Sequence, residues 1–151
     1  MSRRYAGFGA VATTTGTPET LLNLISATTI RPHLYDIILG SDATADQAYS
    51  IEVERTTAVG TEGSGFTPTL LDPDSPVSLS DVGVGTYASE PTYTASSTLL
   101  GFGLNQRGTF RWVAAPGGEL IAPATANAGL GIKAESSTAN FNVDVTFHWE
   151  E

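Results

Sequence analysis

At roughly 100–200 residues per domain, a chain of 151 residues allows one domain and leaves no room for a second large core. Hydrophobic residues make up 40% and charged residues only 15%, so a real core can form while solubility rests on Ser, Thr, Asn and Gly, the composition of a strand-and-turn protein. The formal charge of −9 repels phosphate backbones and argues against nucleic acid as a partner, and the absence of cysteine excludes disulfides, thiolate metal sites and a cysteine nucleophile.

The N-terminal stretch carries Arg3 and Arg4, followed by a short run too rich in small residues for the hydrophobic region of a signal peptide. It is expected to form an arm and a first strand over 1–16, ahead of a β-sandwich domain over 17–151. No stretch approaches the ~20 apolar residues that a membrane-spanning helix needs, so a soluble protein made in the cytoplasm, with no membrane partner, is expected. Next, Thr17, Pro18 and Glu19 form a good helix start, with a capping hydroxyl, proline at the first helical position and an early acid. Leu21, Leu22, Leu24 and Ile25 would then ride on a short helix. A strand is favoured instead, because the β-branched Thr28, Thr29 and Ile30 follow and Pro32 arrives soon after.

The apolar run 34–39, bounded by Pro32 and by Gly40, Ser41 and Asp42, has the look of a well-buried strand. In the run 49–55, Tyr49, Ile51 and Val53 alternate with Ser50, Glu52 and Glu54, so one face is expected in the core and the two glutamates in water. From Val59 to Thr94 the chain is dense in Gly, Pro, Ser, Thr and Asp, and Pro68, Pro73, Pro76 and Pro91 prevent long regular elements. A long ordered loop or weak edge strands are expected over about 59–97, the kind of insertion that carries contacts. Runs 98–104 and 109–114 flank a hairpin-sized connection at Asn105, Gln106, Arg107 and Gly108, and two further short strands are expected at 120–121 and 130–134. At the end, Phe141, Val143, Val145, Phe147 and Trp149 alternate strictly with polar residues, the clearest strand in the sequence. Seven to nine short strands, turn signals at sandwich spacing and no βαβ pattern predict an all-β, single-domain antiparallel β-sandwich, wound as a jelly roll.

Chemistry-bearing patterns are weak. The segments starting at Gly7 and Gly83 match G-x-G-x-x-A, but a dinucleotide fingerprint needs a strand before it and a helix after it, and neither context exists here. His33 and His148 sit on separate strands and form no paired metal motif, and His148 falls on a wet strand face. Glu52 and Glu54 look solvated, and no nucleophile elbow or phosphate-binding loop occurs. Asp72, Pro73, Asp74 and Ser75 with Asp81 would suit a loop calcium site, yet Asx-Pro turns explain the same residues. The expectation is therefore a non-enzyme with no cofactor and no metal. Interface chemistry is better represented: Arg3, Arg4, Tyr5 and Phe8 in the terminal stretch, and Tyr87, Tyr93, Arg107 and Arg111 elsewhere, combine large contact area with polar handles. Trp112 is of the same type but is expected in the core.

The residues 105–114, Asn-Gln-Arg-Gly-Thr-Phe-Arg-Trp-Val-Ala, followed by Pro116, Gly117, Glu119, Pro123, Ala124, Thr125, Gly129, Gly131 and Ile132, resemble a group of small proteins encoded among the head genes of tailed bacteriophages. So do the stretches 21–40 and 90–94. The resemblance implies a jelly-roll capsid decoration (cement) protein, a homotrimer bound to the major capsid protein on the exterior of the virion and made in the host cytoplasm. It assigns no individual binding residue. An alternative of a different class, a carbohydrate- or host-receptor-binding jelly roll, predicts exposed aromatics lining a groove, and a hydrolase predicts carboxylates converging in a cleft.

Overall fold

The computed structural model describes residues 3–44 and 46–151, and among these every regular element is a β-strand. In chain order they are β1 (Arg4–Ala12), β2 (Glu19–Ile25), β3 (His33–Ser41), β4 (Ala48–Ala58), β5 (Ser64–Phe66) and β6 (Thr69–Leu70), then β7 (Asp81–Val84), β8 (Thr92–Asn105), β9 (Phe110–Val113), β10 (Leu120–Ile121), β11 (Gly129–Ser136) and β12 (Asn142–Glu150). All pairings between them are antiparallel.

Two sheets pack face to face. The first runs β6-β1-β12-β3, with β9 and β10 sharing the far edge of β3; the second runs β5-β7-β2-β11-β4-β8. Outside the insertion, the chain changes sheet at every step from β1 to β4 and again between β8 and β9, β10 and β11, and β11 and β12, so the central strands nest as β1-β12-β3-β9 over β2-β11-β4-β8. That is the winding of a jelly roll, as the strand spacing predicts. The insertion between β4 and β8 adds β6 to one sheet and β7 and β5 to the other, on the same side of the sandwich.

The core follows the alternation. Val143, Val145, Phe147 and Trp149 of β12 point inward and are buried with Tyr49, Ile51 and Val53 of β4. The 19–25 segment is a strand: Gly16 takes the left-handed conformation (φ 71°), which closes a tight turn with Thr17 N–H donating to Thr14 O, and Pro18 then leads into β2. Gly129 lies where β11 crosses β2 so closely that a Cβ would sit 1.9 Å from the Leu24 carbonyl oxygen. No side chain fits there.

The structure departs from the sequence reading in several places, first in its strand count, which is twelve among the described residues where seven to nine were expected. The four residues after β8 are not a hairpin turn, because β8 pairs with β4 while β9 pairs with β3 in the other sheet. Gly108 N–H donates to Asn105 O and Arg107 N–H to Asn105 Oδ1, so a turn of hairpin length carries the chain across the sandwich. Glu54 is buried rather than solvated, its carboxylate held by Lys133 Nζ at 2.9 Å and by the Thr98 hydroxyl at 2.8 Å. Burial pushes the Glu54 carboxyl up, but the bonds from Lys133 and Thr98 outweigh it and hold the group below the usual carboxylate range. Finally, the stretch 1–16, expected as an arm and a first strand, is already strand from residue 4 and runs to residue 12 between β12 and β6.

Candidate functional site

The insertion makes one loop that differs from the rest of the surface. Between β6 and β7, residues 71–80 read Leu-Asp-Pro-Asp-Ser-Pro-Val-Ser-Leu-Ser, and the sequence builds their shape locally. Asp72 accepts the Asp74 N–H on its side chain (3.1 Å) and the Ser75 N–H on its carbonyl (3.0 Å), the Asx turn expected of Asp-Pro-Asp. Leu71 N–H donates to Arg4 O, and the buried Tyr5 hydroxyl donates to Pro76 O at 3.0 Å. Both tie the loop to β1.

The second half of the loop is gripped by one carboxylate. Glu151 accepts the Ser78 hydroxyl (2.7 Å) and the Ser80 N–H (3.0 Å) on Oε1, and the Leu79 N–H (3.1 Å) on Oε2. Trp149 Nε1 approaches Oε1 at 3.4 Å, and its ring lies 5.8 Å from that of Tyr5. Burial alone pushes the Glu151 carboxyl up, and these donors more than reverse it, holding the group below the usual range. With Ser78 and Ser80 turned toward Glu151, the alternate residues turn outward: Val77 is 75% exposed and Leu79 55%, and Leu71 at the loop's start is 46% exposed. Three of the five exposed large hydrophobic residues among those described therefore share one pinned loop. Aliphatic side chains clustered on one loop and facing water are the kind of surface feature that marks contact sites.

The clamp sets a pH dependence. A carboxylate whose folded pKa is depressed adds stability above its ordinary pKa and loses it as pH falls through the folded value. Glu151→Gln is expected to cost about 1–2 kcal/mol at neutral pH, the worth of charge-assisted bonds to a half-exposed group. In thermal melts, the gap between this variant and the parent should close as pH drops below about 4. A gap that stays constant with pH would mean that the charge does not hold the loop.

A second polar cluster lies on the outer face of the first sheet. The Asp36 side chain, only 2% exposed, accepts both Arg111 Nε (2.9 Å) and Nη2 (2.7 Å), and pairs with His148 Nδ1 at 2.9 Å. Burial raises the Asp36 carboxyl, and the Arg111 and His148 hydrogen bonds override it to leave the group below the usual range. This neutralises a buried carboxylate across β3, β9 and β12. His148 is thus part of a structural trio, not a bare surface residue, because β9 brings Arg111 over the face expected to be wet.

The other expected interface residues scatter. Tyr5 and Tyr87 are buried, which removes both from any partner surface as the fold stands; Tyr5 faces inward on β1 beside Trp149. Tyr93 is half-buried, its hydroxyl 2.7 Å from Thr20 Oγ1 and its ring beneath Lys133 Nζ at 5.1 Å. Arg107 pairs with Asp46 at the surface (2.7 Å). Arg3, Arg4 and Phe8 are exposed, and Trp112 is half-buried against the core. Val77, Leu79, Leu71 and Glu151, the residues that make the loop, were absent from the sequence expectation. Their signal was a four-residue apolar-serine alternation just after Pro76, too short for a strand. Among the described residues no three of His, Asp and Glu converge as a metal set, and Asp72 is engaged in its own turn. A shallow groove of about 550 Å³ beside β8 is lined by Ser50, Gly103, Asn105 and Glu135, and its aromatic residue, Tyr49, packs edge-on against Phe141 instead of facing out.

No protein-family model matches the chain, and no curated protein matches it.

Proposed function

We propose that this is a structural virion protein of a tailed bacteriophage that docks on the outer surface of the assembled capsid and stabilises it, with the major capsid protein as partner. The observation that carries this reading is the 71–80 loop, which displays Val77, Leu79 and Leu71 from a backbone fixed by Glu151 and Tyr5. A loop ordered before contact loses little further entropy on docking, so each buried aliphatic group contributes more of its transfer free energy to affinity. The net charge of −9 suits a protein that stays dispersed until a complementary surface appears. The resemblance of residues 105–114 and their neighbours to phage head proteins supplies the partner and adds a homotrimer. A glycan-binding role would call for exposed rings along a groove, whereas the exposed apolar side chains of the loop are aliphatic, the chemistry of a protein contact.

The test is to add purified protein to undecorated capsids of the phage that encodes it and sediment them. Saturable co-sedimentation with a raised melting temperature of the shell is expected. Absence of binding at micromolar protein would contradict the proposal.

A further inference from the structure

Sheet edges expose unpaired backbone groups, and three of the four edge regions here are short. β5 has three residues and β6 two, and the edge beyond β3 is split between four-residue β9 and two-residue β10. The exception is β8, 14 residues long and ending its sheet. Its first half is broken: Ser96 has φ 57° and the register against β4 shifts repeatedly before residue 100. From 100 to 105 the pairing with Ala48 through Val53 is unbroken. Bulges guard only the first half; from 100 to 105 no bulge, charged residue or proline guards the edge.

Residues 100–104 read Leu-Gly-Phe-Gly-Leu, a palindrome centred on Phe102. Leu100, Phe102 and Leu104 face the sandwich interior opposite Val53, Ile51 and Tyr49, yet remain half-exposed because no strand lies beyond them. Phe110 of β9, 4.3 Å from the Phe102 ring, shares this open side. Gly101 and Gly103 lie on the other face and leave the backbone bare.

We propose that β8 pairs antiparallel with β8 of a second copy of this chain, about a two-fold axis at Phe102, joining two six-stranded sheets into one. In that register Leu100 faces Leu104 of the partner subunit and Gly101 faces Gly103 of the partner subunit, so inner face meets inner face and the open apolar side is covered. A palindromic strand is self-complementary in a way that a strand chosen for a foreign sequence need not be, and an isologous contact requires this. Charge points the same way. Two copies carrying −9 each repel wherever acids meet, and this edge lets the backbones meet without an acid on either strand. The contact is independent of capsid docking, and it leaves the 71–80 loop, on the opposite side of the sandwich, uncovered.

Gly103 has room for a side chain, its nearest non-local atom to a built Cβ being Tyr49 O at 4.0 Å. A residue there would lie over the partner's Gly101, whose cross-strand neighbour is the partner's Glu52. Gly103→Glu should therefore weaken self-association severalfold, by repulsion across the one intervening strand from a Glu52 that Lys133 only partly neutralises (3.0 Å), and Gly103→Lys should strengthen it. The same two substitutions at exposed Thr28 should do neither. Sedimentation equilibrium of the full chain should give an even number of chains, two, or six where three-fold association also occurs in solution. Amide exchange over 98–105 should slow as protein concentration rises. A mass of one or three chains with concentration-independent exchange, or equal responses to Glu and Lys at 103, would overturn the proposal.

Discussion

Val145→Asp is expected to lower the unfolding free energy by about 4 kcal/mol or to prevent folding, while Thr146→Asp one residue on costs under about 1.5 kcal/mol. Val145 sits on β12 between Gly9 of β1 and Leu39 of β3, with its side chain fully enclosed by the core. A carboxylate there has no cation to meet and must either stay charged in an apolar setting or take up a proton. Thr146 points to the opposite face, between Phe8 and Ile38, and is half-buried, so an acid at that position reaches water. Urea titration reads the difference directly. Equal costs would show β12 displaced by one residue, since a single step in register exchanges the two faces.

The second large effect is on binding, with little on folding. Replacing Val77 and Leu79 together by Asp should weaken capsid binding by a factor of about 100 or more, since each aliphatic side chain buried on docking contributes roughly 1.5–3 kcal/mol. Both side chains are more than half exposed, so the melting temperature of the isolated protein should move by only a few degrees. Binding measured by co-sedimentation at several concentrations separates the two quantities. A double variant that binds like the parent would place the docking surface elsewhere, and one that no longer melts cooperatively would show that the loop supports the fold.

What the sequence revealed follows the range of the forces involved. β12 and β4 were legible because period-two alternation is a local record of which face is wet, whereas residues 92–97, expected in the loop region, open the 14-residue β8. The strand at 19–25 was ambiguous because Thr-Pro-Glu is a good helix start; the turn at Gly16 and pairing with β7 and β11 decide it. Long-range pairing was invisible. Glu54 is buried because Lys133 on β11 reaches it, and His148 is enclosed because β9 brings Arg111 across Asp36. Composition misled the choice of interface residues as well. Tyrosine is common in interfaces and equally common in cores, and Tyr5 and Tyr87 are buried, whereas Val77 and Leu79 gain their meaning from a carboxylate more than 70 residues away at Glu151.

The most direct measurement of the central claim is a cryo-electron microscopy map of capsids saturated with the protein, fitted with this fold. The loop carrying Leu71, Val77 and Leu79 is expected to lie against the capsid surface, with those three side chains out of solvent and Glu151 still bonded to Ser78 and Ser80. A map in which the loop faces solvent and the outer face of the first sheet, around Phe8, meets the capsid would contradict it.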